Sequence, residues 1–135
     1  MRFLPFAAAA MLLAASCSGN AGKIDVIFDS DANNELDDQH AIAYMLMNDE
    51  TFNVLGITTN VTNNGGNIEE QSEEARRVIG LVGKYGENAT VIPGATGSFE
   101  EIRPNLDASS FDGDAAVNFI IEKARKYKPS DKLVL

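Results

Sequence analysis

The stretch Asp29-Ser30-Asp31-Ala32-Asn33-Asn34-Glu35-Leu36-Asp37-Asp38 places five carboxylates in ten residues. No Lys or Arg occurs between Lys23 and Arg76 to offset them. Crowded carboxylates raise one another's pKa, and a bound cation removes that cost. Oxygen donors at this density favour a hard ion, Ca²⁺ or Mg²⁺. An apolar run precedes the cluster and an apolar helical pattern follows it, so it sits at a strand-to-helix junction. A freely solvated acidic loop would not need those flanks.

The elements that must position these carboxylates follow from hydrophobic period. Ile24 to Phe28 is an apolar, β-branched run that suits a buried strand. Asp37 to Met47 reads as a helix with acidic residues in its first turn, where the helix dipole favours them. Its apolar body, Ala41, Ile42, Tyr44, Met45 and Leu46, predicts a well-buried helix. Asn53 to Thr59 reads as a second strand, followed by a polar loop over Asn60 to Gly66. Ile68 to Lys84 reads as a helix, with Asn67 as N-cap, Glu70 three residues on, and Ala75, Val78, Ile79 and Val82 on its apolar face. Thr90 to Ile92 is a short strand stopped by Pro93-Gly94. Ala95 to Asp112 reads mostly as loop, Gly113 to Tyr127 as a helix, and Lys132 to Leu135 as the start of another strand. Alternating strands and helices predict an α/β fold, Rossmann-like, with a mainly parallel sheet and flanking helices. The sites of such sheets form at the carboxyl ends of the strands. Because the last residues read as a strand, the expectation is that this stretch is the truncated, amino-terminal part of a larger domain.

Two known patterns meet these residues only in part. In an EF-hand loop, Asp29, Asp31 and Asn33 would take positions one, three and five. Asn34 then stands at the required glycine and His40 at the bidentate glutamate, and a strand rather than a helix comes first. Val26-Ile27-Phe28-Asp29-Ser30-Asp31 looks like the first strand of the haloacid-dehalogenase-like, Mg²⁺-dependent phosphatases. That family continues with Gly-Thr, where this chain has Ala32-Asn33, and it leaves Asp37-Asp38 without a role. His40, the one histidine, lies a helical turn further on and reads as structural.

More of the pattern resembles the inosine/uridine-preferring nucleoside hydrolase family. Its signature is a strand running into Asp-x-Asp, a short turn, and Asp-Asp opening a helix, as in Asp29-x-Asp31 and Asp37-Asp38. Its next strand ends in Ile-Thr-Thr with a loop asparagine after it, like Ile57-Thr58-Thr59 and Asn63. Glu74-Ala75-Arg76-Arg77-Val78, Val91-Ile92-Pro93-Gly94-Ala95 and Lys132-Leu133-Val134-Leu135 resemble later segments. The resemblance covers roughly residues 23–135. Two loops depart from it. The family has Pro-Gly and one apolar residue between the aspartate pairs, and Ala32 to Leu36 is two residues longer. The loop after Thr59 also exceeds the pattern by about two residues, so Asn64 or Asn67 could take the role of Asn63.

The resemblance implies hydrolysis of the N-glycosidic bond of ribonucleosides or a related ribosyl compound. It implies Asp31 and Asp38 as Ca²⁺ ligands, with Asp31 also the base for a calcium-coordinated water. It implies Asp37 and Asn63 as ribose contacts and Asp29 as a supporting residue. The family's remaining ligands and its leaving-group acid belong to later segments, so residues 23–135 would form one wall of the site. The other readings are the phosphatase above and a non-catalytic calcium-binding surface protein. Base preference and assembly into homo-oligomers are left open.

Met1 to Leu13 carries one basic residue and then a short apolar run, the pattern of a secretory signal and too short to span a bilayer. Leu13-Ala14-Ala15-Ser16-Cys17 resembles a bacterial lipoprotein box, with Cys17 as the lipidated residue. Residues 1–17 are read as signal and residues 18–22 as a flexible tether. The expected location is therefore the periplasm, or a membrane surface through the lipid anchor alone. Cys17 is the sole cysteine, which leaves no pair for an intramolecular disulfide. The net charge of −9 argues against nucleic acid and anionic membrane surfaces as partners. If Cys17 anchors the chain, the protein partitions with membranes, and Cys17→Ser releases it or leaves the precursor uncleaved. Identical processing and soluble partitioning of both forms in a cell fractionation would defeat the lipoprotein reading.

Overall fold

The computed structural model describes residues 22–130 and 132–135, so the signal segment, Cys17 and nearly all of the tether lie outside the described residues. Three strands, β1 (Ile24–Ser30), β2 (Phe52–Thr59) and β3 (Val91–Pro93), form one parallel sheet in the order β1-β2-β3. Helix α1 (Leu36–Met47) connects β1 to β2, and α2 (Ile68–Leu81) connects β2 to β3. A short helix, α3 (Phe99–Ile102), and then α4 (Asp114–Ala124) follow β3. Val134 then returns beside β1, where Ile27 N–H donates to Val134 C=O at 2.9 Å and Val134 N–H to Asp25 C=O at 3.1 Å. β2 occupies the other edge of β1, so the chain runs outward through β2 and β3 and comes back on the far side. The protein has an α/β fold of Rossmann-like arrangement, and the carboxyl end of β1 lies where the strand order reverses.

Strand alternation divides the helices between the two faces of the sheet. Phe28, Val54 and Ile57 pack with Ile42 and Leu46 of α1 and with Ala75 and Val78 of α2, which forms the main core. Gly56 points the other way. A Cβ there would lie 2.5 Å from the Phe119 ring of α4, so the missing side chain lets α4 come down on the sheet. The register between β1 and β2 shifts after Val26, with Val26 opposite Val54 and Ile27 opposite Gly56. Leu55 is therefore an extra residue on β2, a bulge. Beyond it, Asp29 pairs with Thr58 and Ser30 with Thr59.

Several expectations needed adjustment. α2 ends at Leu81 rather than Lys84, because Gly83 takes a left-handed φ of 58° and a 3-10 turn follows. The Asn67 cap is present with its reciprocal bonds, Glu70 N–H to Asn67 Oδ1 at 3.0 Å and Asn67 N–H to Glu70 Oε2 at 2.8 Å. α1 is less buried than its composition suggested. Ile42 and Leu46 are buried, while Tyr44 and Met47 are more than half exposed, since the sheet and α2 cover one side only. Residues 95–112 are not all loop, for they include α3 and a 3-10 turn over Arg103–Asn105. The last segment contributes a single bridge at Val134.

Gly56→Val should drive the Phe119 ring off the sheet and cost about 1–3 kcal/mol. A urea titration reads this as a lower midpoint, partly restored when Phe119→Ala is added. An unchanged midpoint would show that α4 does not rest on β2 through this contact.

Candidate functional site

The carboxyl end of β1 alternates its side chains between the two faces, and each finds a hydrogen-bond partner. Asp29 faces the α4 side, where Thr58 Oγ1 donates to its Oδ1 at 2.6 Å and Asn60 Nδ2 to its Oδ2 at 2.9 Å. Ser30 is buried and faces α1, where its hydroxyl donates to Asp38 Oδ1 at 2.7 Å. Thr59, opposite Ser30, pairs its hydroxyl with Ser72 of α2 at 2.8 Å. Asp31 lies just past the strand. Its Oδ2 accepts from Asn34 Nδ2 at 3.0 Å and from Thr62 Oγ1 at 2.8 Å. The two loops that flank the strand ends thus converge on one carboxylate oxygen.

These contacts place the expected residues unequally. Asp29 lies on the α4 face at the end of β1, Asp31 just past the strand, and Asp38 in the first turn of α1, which the Ser30–Asp38 bond ties to the strand end. Asp37 is exposed in the same turn and makes no side-chain hydrogen bond among the described residues. Of the three loop asparagines, Asn63 is exposed without a side-chain partner among the described residues, Asn64 accepts from Thr62 through its backbone carbonyl, and Asn67 is spent on the helix cap. Asn60 is the one that reaches the strand end. His40 is exposed on α1 rather than part of the core.

The donor set suits a hard cation in kind. Asp31 and Asp38 each keep one oxygen, Oδ1 and Oδ2 respectively, that accepts no hydrogen bond among the described residues. Neither aspartate is paired with a base. The ion pairs among the described residues are Arg77–Glu74 and Lys126–Glu122, and neither includes these aspartates, although Arg77 and Glu74 line a surface hollow with Asn33 of the neighbouring loop. In number the set falls short. Among the described residues no three His, Cys, Asp or Glu side chains converge as a metal group, whereas calcium takes 6–8 oxygens. Asp31 and Asp38 could therefore supply two of a cation's oxygens, with water or other groups completing the shell.

A cleft of about 340 Å³ opens beside Asp29 on the α4 side. Thr58, Asn60 and Asp29 form its polar end, and Phe99, Ile102, Leu106, Phe111, Val117 and Ile120 line its apolar wall. That balance of many apolar groups and few polar ones is typical of small-ligand sites. Asp112 also lines the cleft and gathers the loop after β3. It accepts from Thr96 N–H at 2.9 Å, from the Thr96 hydroxyl at 2.8 Å and from Gly97 N–H at 2.8 Å. The Thr96 amide, then its hydroxyl, then the Gly97 amide hold the Asp112 carboxyl below the usual aspartate range. Glu101 is held low in the same way by the Ser98 amide and hydroxyl. Sequence reasoning missed this wall because residues 95–112 lack a hydrophobic period. The apolar residues of the segment, spaced through a loop, were the available signal.

Comparison with protein-family models, with curated proteins and with solved structures finds no match to this chain. Among the described residues no helix is long and apolar enough to cross a membrane.

Asp112 is depressed in the folded state, so it stabilises the protein above the ordinary aspartate value of about 3.9. That contribution is lost as pH falls through the lower, folded value. Asp112→Asn should lower the melting temperature at neutral pH, and the gap from wild type should close on acidification below about pH 4. A gap independent of pH would show that Asp112 does not clamp the loop through its charge.

Proposed function

We propose that this protein is a hydrolase of the N-glycosidic bond of ribonucleosides or a related ribosyl compound, working with Ca²⁺. One observation carries the reading. Asp31 just past the strand end and Asp38 in the first turn of α1, tied to the strand by Ser30, lie at the reversal of strand order, each held through one oxygen by neutral donors and each with its other oxygen accepting no hydrogen bond among the described residues. Neutral donors orient a carboxylate without cancelling its charge, which suits a group that must bind a cation and accept a proton.

Each residue then has a task. Calcium, when bound, lowers the proton affinity of a water molecule near neutral pH. Asp31 takes the proton of the attacking water, for which hydrogen-bond reach suffices. Asp31 and Asp38 would hold the ion, and their charge also favours the oxocarbenium-like character that develops at the ribose. Asp37, free of protein partners, accepts from a ribose hydroxyl, and Asn63 contacts the sugar from the facing loop. Asp29 supports the strand end. The apolar cleft beside it offers a seat to the departing planar base, out of water. Both oxygens of Asp29 are already engaged, which weighs against the phosphatase reading, where this residue would be the nucleophile.

Calorimetry should show calcium binding to the chain lacking residues 1–17, weakened at least tenfold by Asp38→Ala, about 1.4 kcal/mol. Ribose release from inosine and uridine should be assayed for this chain and for a form extended through any coding sequence beyond codon 135. Because residues 23–135 would supply one wall, calcium-dependent release is expected from the extended form. Asp31→Asn should reduce it about 10²–10⁴-fold. Calcium affinity indifferent to Asp31 and Asp38 would overturn the metal assignment. Calcium binding with no ribose release in either form would favour a non-catalytic calcium-binding protein.

A further inference from the structure

Gln71 is a polar side chain in the first turns of α2 with no exposed surface at all. Its Oε1 accepts from the Asn33 backbone N–H at 2.6 Å, and its Nε2 donates to the Gly65 carbonyl at 2.8 Å. Asn33 Nδ2 reaches the same carbonyl at 2.7 Å. One buried amide therefore joins the Ala32–Leu36 loop to the Asn60–Gly66 loop. The loops also touch directly. Gly65 has a left-handed φ of 85°, and a Cβ there would lie 2.7 Å from Asn34 Cα. Burying an amide costs more than burying an alkyl group of similar size unless its bonds are made, and here they are made across two loops.

The residues next to these ties hold Asp31. Asn34 follows Asn33 and donates to Asp31 Oδ2, and Thr62, three residues before Gly65, donates to the same oxygen. We propose that Gln71 is the positioning residue of the site: by locking the two loops together it fixes the Asp31 carboxylate with Oδ2 held and Oδ1 free, without touching ligand itself. This rests on the assignment of Asp31 as cation ligand and base. Loss of the lock lets Asn34 and Thr62 separate, and the carboxylate samples rotamers in which the free oxygen no longer faces the site. Small displacements of a reacting or ligating group are costly out of proportion to their size.

The test compares the wild-type chain with Gln71→Leu, which keeps the volume and removes both ties, and with Asn33→Ala, an exposed change that keeps both Gln71 bonds and cuts the separate Asn33 Nδ2 bond to the Gly65 carbonyl. Three quantities are read: Ca²⁺ affinity by calorimetry, the carboxyl ¹³C shift of Asp31, and hydrogen exchange at the Asn33 and Ile57 amides. The expected result for Gln71→Leu is at least tenfold weaker calcium binding, a moved Asp31 shift and at least tenfold faster exchange at Asn33, with Ile57 protection unchanged. Asn33→Ala should move the affinity and the Asp31 shift in the same direction by less. Wild-type affinity and an unmoved Asp31 shift in Gln71→Leu would overturn the proposal while leaving the metal assignment standing. If the wild-type chain binds no calcium, the metal assignment fails, and the Asp31 shift decides the positioning role, supported if it moves and overturned if it does not. Should Gln71→Leu fail to fold, Gln71→Met, closer in shape to glutamine and equally without the two bonds, decides by the same two readouts.

Discussion

Among the described residues no basic side chain pairs with Asp29, Asp31 or Asp38 between the end of β1 and the start of α1, so their charge is held by dipoles. Hydroxyls and amides do this: Thr58 and Asn60 on Asp29, Ser30 on Asp38, Asn34 and Thr62 on Asp31. Neutral donors orient the oxygens and leave the negative potential in place. The parallel sheet makes this arrangement possible. It brings the ends of β1 and β2 side by side, and the start of α1 is attached to one of them by a five-residue turn.

The two faces of the sheet then serve separate purposes. On the α1–α2 face, Ser30 and Thr59 are buried and spend their hydroxyls on Asp38 and Ser72, which anchors both helices to the strand ends. On the α4 face, Asp29 and Thr58 look into the apolar cleft. Gly56 lets α4 approach closely enough for Val117 and Ile120 to line that cleft. Because Asp112 lines the cleft and holds the loop after β3, the cleft wall depends on a carboxylate some eighty residues away in sequence from Asp29 and Asp31. The loops that follow β1 and β2 are joined by Gln71 and form one packed unit.

Much of this protein follows from local pattern alone. The apolar β-branched run of β1, the capping pair Asn67 and Glu70, and the apolar face of α2 are properties of short stretches, and their periods place them without reference to the rest of the chain. The carboxylate cluster and its place at a strand-to-helix junction are equally local, as is the absence of any base near it. Three things were decided only by the tertiary structure. The bulge at Leu55 sets Thr58 rather than Ile57 beside Asp29, and strand register depends on the partner strand. The choice of Asn60 and Thr62 as the groups that reach the aspartates, with Asn63 left exposed, depends on how a glycine-bearing loop turns back. The period of α2 puts Gln71 on the apolar face with Ile68, Ala75 and Val78, but that its amide finds partners in two loops meeting over the helix is decided only by the fold.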